Sequence, residues 1–272
     1  MGTVKWTGGA GDGNWDTVGN WDTGAKPVNS DDVIIGTGSI SITAGLNQSG
    51  VTLTSLTITS GYSGSIGTVG TPLQISSTTV TVGGRGALYN LNGTYTDVYA
   101  NIVGQVQLSI AGGTTTNLYA GMGGVVTISS SAVVTNARIG AAIVTAGYNA
   151  TAFTLAEISG SGMLTSARAA TTMRVDNGAT SVVTGSATIT TLDVSSLANH
   201  KHRSTGTITT ANIKPQGGIQ PDDLNASSAT ITNLYEWSGS RVRDKMGGGK
   251  FTVSNRYNVG DSIPGGFVGN FG

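Results

Sequence analysis

No cysteine occurs in this 272-residue chain, so disulfide staples and thiolate metal sites are excluded. Charge is nearly as scarce: Asp, Glu, Lys and Arg make up 10% of the residues, against about 25% in ordinary soluble domains. The 14 basic and 14 acidic residues balance, which leaves no net field to attract nucleic acid, an anionic membrane or an acidic substrate. No apolar run approaches the roughly 18 residues of a membrane span, and the opening MGTVKWTGGAGDGNW lacks the apolar core of a secretory signal. Met-Gly would open a myristoylation motif, but Trp6 stands where that motif needs Ser or Thr.

What is present is glycine, threonine, serine and aliphatics at regular spacing. Glycine alone accounts for 43 residues and apolar types for 38%, too much evenly spread apolar surface for a disordered chain. The aliphatics sit in a recurring phrase: VTLTSLTI at 51, GTYTDVYA at 93, ATITTLDV at 187, GTITTANI at 206 and ATITNLYE at 229. Aligned on their second threonine, the copies fall at Thr54, Thr96, Thr116, Thr135, Thr165, Thr190, Thr209 and Thr232. Counting the first interval as two steps, the mean spacing is about 22 residues, a period that belongs to solenoids.

Within each copy, the residue before the anchor is mostly apolar (Leu53, Tyr95, Val134, Leu164, Ile189, Ile208, Ile231). The residue two after it is Leu, Val or Ala: Leu56, Val98, Leu118, Ala137, Ala167, Leu192, Ala211 and Leu234. Slots three apart point to opposite faces of a flat strand, so a corner must lie between them. Small polar residues such as Ser55, Asp97, Asn117 and Thr191 occupy that corner and suit a bend by bonding nearby backbone. The expectation is an all-β parallel β-helix of about nine turns over 31–236, with a Trp/Gly-rich cap over 1–30 and a basic, Gly/aromatic arm over 237–272. A β-sandwich is the competing fold; the absence of 3.6-residue periodicity argues against a leucine-rich horseshoe. A parallel stack also explains the composition, because bulky or charged side chains would meet their own copies at roughly 4.8 Å.

A solenoid has open ends that template unwanted strand addition and need covers. Trp6, Trp15 and Trp21, separated by Gly/Asn/Asp turns, form the candidate N-terminal cover. The arrangement WTGGAGDGNWDTVGNW, then Pro27, then DDVII resembles the start of β-helical proteins among bacterial autotransporter-like surface proteins and phage structural proteins. The resemblance spans about the first 60 residues. It implies a β-helical architecture, and with no signal sequence to read, it directs the expectation to a virion component assembled in the host cytoplasm.

Positive charge collects after residue 236, where Arg241, Arg243, Lys245, Lys250 and Arg256 accompany Phe251, Tyr257, Phe267, Val268 and Phe271. Such a segment suits an extended arm gripping a neighbour, with apolar anchors; one short basic segment without a nucleic-acid-binding fold is weak ground for nucleic-acid contact. On the rod, the slot three after the anchor should face outward and holds Tyr99, Tyr119, Arg138, Arg168 and Asp193. Stacked tyrosines there suit a sugar, a partner chain or simple like-on-like packing.

Catalytic and metal-binding patterns are thin. Asp97, Glu157, Asp176 and Asp193 fall in different slots or turns, without the pair of carboxylates that glycoside hydrolysis needs. His200 and His202 in NHKHR read as an exposed loop. Asp12, Asn14 and Asp16 have alternating calcium-loop spacing, but Thr23 occupies the twelfth position, so they read as turn formers. GGRG at 83 and GGGK at 247 lack the context of a phosphate loop. The sequence therefore points to a non-enzymatic structural protein of a bacteriophage virion without cofactor or metal. In that expectation it is a capsid-decorating protein, trimeric, bound to the major capsid protein. The alternatives are a tail spike or fibre binding a host glycan, and a bacterial surface adhesin.

Overall fold

The computed structural model describes residues 2–68, 70–221, 229–243 and 251–259. The chain divides into two compact units, the first comprising residues 1–137 with 142–145 and the second 138–141 with 146–272. Both are parallel β-solenoids, with about eleven turns in all. Among the described residues there is no α-helix, only a single 3-10 turn at Val18–Asn20, and no helix long and apolar enough to cross a membrane.

The first unit carries β1 (Thr3–Lys5), β2 (Asp32–Ile35), β3 (Asn47–Ile58), β4 (Leu73–Val82), β5 (Leu88–Ala100), β6 (Gln107–Ala120) and β7 (Val125–Ile128), each paired in parallel with the next. The chain crosses between units within β8 (Ala132–Ile139) and β9 (Ile143–Ala146). One wall of the second unit is built from β10 (Phe153–Ile158), β12 (Ala170–Val175), β14 (Ile189–Val194), β16 (Ile208–Ile213), β18 (Ala229–Trp237) and β20 (Phe251–Val259). A second wall is built from β11 (Met163–Ser166), β13 (Thr180–Gly185), β15 (Asn199–Ser204), β17 (Gly218–Pro221) and β19 (Arg241–Val242).

The register follows the repeated phrase. In the first unit Asp32, Ser55, Thr79, Asp97 and Asn117 stand one above another, at steps of 23, 24, 18 and 20 residues. In the second, Leu155, Thr172, Thr191, Thr210, Asn233 and Asn255 do the same, at steps of 17, 19, 19, 23 and 22. The turns are therefore shorter and more numerous than the expected nine. A copy at Thr78 fills the 42-residue interval, and the copy anchored at Thr165 is out of register. Thr165 lies in β11 on the second wall, opposite Val182, while Thr171 takes the anchor position.

The corner falls inside the strand. In β14 Ile189, Leu192 and Val194 are buried while Thr190 and Thr191, adjacent in sequence, both turn outward. β10 and β16 repeat that pattern. Polar corner residues then bond their own successors: Asn117 Nδ2 donates to Asp97 Oδ1 at 3.0 Å, and Asn136 Nδ2 donates to Asn117 Oδ1 at 3.0 Å. Ser55 donates to Asp32, and Asn255 donates to Asn233. Glycine is required where turns come close: at Gly113, with φ +77°, a Cβ would sit 2.0 Å from the Gly93 carbonyl oxygen.

The N-terminal segment folds over the first turn. β1 adds a parallel strand to β2, so the edge that β2 would expose is occupied. Trp6, Trp15 and Trp21 are all buried and meet edge to face, with centroids 5.1 and 4.7 Å apart, the arrangement favoured by the ring quadrupole. Trp21 Nε1 donates to the Trp15 carbonyl at 2.8 Å. At the far end the structure changes the expected boundary: residues 251–259, placed by sequence in an extended arm, form β20 and pair with β18 at eight positions.

Two outcomes test this packing. Leu192 is fully buried, so Leu192→Ala is expected to cost about 2–5 kcal/mol in chemical denaturation; a change under about 0.5 kcal/mol would contradict the register. Deleting residues 1–24 removes β1 and the three indoles, and aggregation is expected from the exposed edge. A soluble deletion product with unchanged melting would show that the segment does not shield it.

Candidate functional site

Strand alternation decides which side chains reach the surface. With Val98 and Ala100 buried, Tyr99 between them faces out; Leu118 and Ala120 do the same for Tyr119. The two phenol rings lie in register and stack at 4.8 Å with planes 8° apart. In the second unit the corresponding outward column runs Glu157, Arg174, Asp193, Asn212, Tyr235 and Tyr257. Tyr235 and Tyr257 stack at 4.7 Å and 14°. A second tyrosine pair thus exists, and Tyr257 belongs to it as a wall residue. Rings stacked this way cover each other's faces and present edges and hydroxyls, so a sugar seeking an aromatic face finds it only at the ends of each pair.

The charged part of the column is self-paired. Arg138 meets Glu157 at 3.3 Å, Arg174 meets Asp193 at 3.7 Å, and Asn212 Nδ2 donates to Asp193 at 2.7 Å. Arg256 pairs with Glu236 on the adjoining turn. Beside this column Glu157, Arg174, Asp176, Asp193, Ser195 and Lys214 line a cleft of about 310 Å³. The sequence reading scattered these carboxylates. The structure instead brings three of them to one cleft, with Asp176 and Asp193 on neighbouring turns. Burial works to raise the Asp176 carboxyl. Hydrogen bonds from Ser195, Ser196 and the Asn177 amide, with the field of Lys214, outweigh it and hold the carboxyl below the usual range.

Three assignments from sequence change. Arg168, expected on the outward column, is completely buried; its Nε donates to the Gly147 carbonyl at 2.8 Å and its guanidinium lies 5.7 Å from the Phe153 ring centre. Desolvation brings its pKa down to about 10. The cause of the misplacement is the Thr165 register error, which shifted inward and outward positions. His200 and His202, read as an exposed loop, lie on the inward face of β15, at 0% and 2% exposure. Alternation in NHKHRS, with the polar-looking histidines at inward positions and Lys201 and Arg203 between them, was the available signal.

The Asp12 loop forms turns. Asp12 accepts from Thr17 Oγ1 and Asn20 Nδ2, each at 2.6 Å, and from the Asn14 amide; those bonds hold its carboxyl below the usual range. Asp16 is likewise lowered, chiefly by Lys26. Among the described residues no group of three or more His, Cys, Asp or Glu side chains is placed to hold a metal. Of the proposed arm contacts, Arg241 and Arg243 line a shallow depression with Leu197, Asn199 and Gln220, and Phe251 is buried at the start of β20. Lys245, Lys250, Phe267 and Phe271 lie outside the described residues.

In the first unit an open groove is lined by Thr59, Gly84, Val103, Val106 and Met122, and Val103 and Met122 are its exposed apolar residues. Its breadth, with an apolar floor and a polar fringe that includes Arg85, Asn101 and Gln105, suits a chain surface better than a small ligand. No protein-family model, curated protein or solved structure matches this chain.

Proposed function

We propose that the chain is a non-enzymatic structural protein of a bacteriophage virion, a decorating protein that stands on the capsid as a homotrimer bound to the major capsid protein. The observation that carries this reading is the self-paired outer wall. Tyr99 with Tyr119, Tyr235 with Tyr257, Arg138 with Glu157, and Arg174 with Asp193 use their surfaces on one another. A wall of that kind makes a stiff scaffold whose outward groups are already partnered. The N-terminal Trp-rich module and its resemblance to phage and surface β-helices add support. The exposed Val103 and Met122 offer an apolar strip for a neighbouring subunit.

A second reading, a tail spike or fibre that binds a host glycan, is favoured by the cleft of Glu157, Arg174, Asp176, Asp193 and Lys214. Its density of donors and acceptors suits a polyhydroxylated chain. Hydrolysis there is disfavoured because a glycosidase acid needs a raised pKa, whereas Asp176 is lowered and Glu157 is engaged by Arg138. A surface adhesin is the third reading and has no feature of its own to support it.

Mass spectrometry of purified particles separates the readings. Hundreds of copies per virion are expected for decoration. A few to a few dozen copies would move the protein to the tail, and its absence from particles would overturn the virion assignment. For the glycan reading, Arg174→Ala with Lys214→Ala should abolish retention on host polysaccharide; binding that survives both substitutions would exclude the cleft.

A further inference from the structure

The two imidazoles of the chain form a closed polar chain in the interior of the second unit. Ser181 Oγ lies 2.7 Å from His200 Nδ1, His200 Nε2 lies 3.2 Å from His202 Nδ1, and His202 Nε2 lies 3.1 Å from the Gly206 carbonyl oxygen. The last contact fixes the direction of the others. A carbonyl can only accept, so His202 carries its proton on Nε2. Neutral His202 then accepts on Nδ1 from the Nε2 proton of His200, and His200 accepts on Nδ1 from the Ser181 hydroxyl. Every donor and acceptor is used once, and both rings are neutral.

Nothing in the surroundings can balance the charge of one more proton. β13 faces the rings with Ser181 and Val183, and β17 with Ile219. Inward residues of β14 and β16 are Ile189, Leu192, Val194, Ile208, Ala211 and Ile213, and β20 contributes Phe251, whose ring centre is 6.3 Å from that of His202. None of these ionises. Lys201 and Arg203 alternate with the imidazoles on β15, and Arg168 is buried after β11, two turns earlier; all three carry positive charge. Among the described residues of this unit no carboxylate is buried. A protonated His200 would donate from Nδ1 to Ser181 Oγ, so the hydroxyl would have to give up its bond to the ring, and the charge would lie without a counter-ion in an apolar interior.

We propose that the Ser181–His200–His202–Gly206 chain is an acid-sensitive latch: proton uptake by the imidazole pair opens the turns of the second unit that carry β13 and β15. This reading is independent of whether the protein sits on a capsid or a tail. Burial holds His200 well below the ordinary imidazole range, with the field of His202 adding to the effect. Burial also lowers His202, opposed by its bond to Gly206. The sign follows from linkage. Above about pH 6.5 both the folded and unfolded chains hold neutral imidazoles, and the latch contributes in full. Below that, the unfolded chain binds protons that the folded one refuses, so stability falls as the pH drops.

Denaturant unfolding of the full-length protein at a series of pH values measures this. With two imidazoles taking up protons, the unfolding constant should rise by up to about 100-fold per pH unit below 6.5. The double variant His200→Asn, His202→Gln keeps an acceptor for Ser181 and a donor for Gly206 and should lose that slope; an unchanged slope in the variant would overturn the proposal. Imidazole nitrogen NMR of the unmodified protein tests the same point without a substitution, because the chain has two histidines. Two neutral Nε2–H tautomers persisting to about pH 5.5 are expected. A ring titrating near its ordinary value of about 6.5 while the fold stays intact would overturn the latch.

Discussion

In a parallel stack each side chain has the equivalent residue of the next turn as its neighbour, roughly 4.8 Å away. That single spacing governs the molecule. Whatever occupies a column must tolerate or recruit its own kind: isoleucine and leucine interlock inward, threonines line up at corners, tyrosines stack face to face, and amides bond amides. Charge survives beside neutral hydrogen-bonding neighbours, as at Asp97, or in alternating sign, as in Glu157, Arg174 and Asp193 down one column. The scarcity of lysine and the abundance of threonine and glycine are consequences of this constraint, as is the close approach at Gly113 that excludes any side chain.

Sequence reasoning succeeded where the same constraint leaves a periodic trace. Leu53, Leu56, Ile189, Leu192 and Leu234 were placed inside by their spacing alone, and all are buried. The corner between slots was legible because two apolar residues three apart cannot share one flat face. The reading failed where a turn departed from the phrase. Leu155 sits in the corner column where polar residues sit elsewhere, which hid the turn at Thr154 and drew the alignment onto Thr165. From that error came the misplacement of Arg168 and the impression that the carboxylates near the cleft were scattered.

The second failure concerns residue type against position. Histidine, lysine and arginine in one hexapeptide suggest a solvated loop, yet β15 alternates strictly, and the histidines occupy its inward places. Such a polar chain is admissible inside a solenoid because β13 supplies a serine at the matching register, Ser181 opposite His200. No inspection of NHKHR by itself reveals that partner 19 residues away. The tyrosine pair at 235 and 257 was missed for a related reason, since the final turn was assigned to an arm.

The amide ladders carry a direction. An asparagine both donates and accepts, so it can follow another asparagine indefinitely; a carboxylate only accepts, so it can stand at just one end. In this protein the donors point toward earlier turns: Asn136 to Asn117, Asn117 to Asp97, and Asn212 to Asp193. An aspartate is therefore the first letter of the ladders at Asp97 and Asp193, while the Asn233–Asn255 rung starts on an asparagine. Lengthening such a protein by gene duplication is consequently asymmetric: an extra turn bearing asparagine prolongs the ladder, while an extra turn bearing aspartate ends it and founds another.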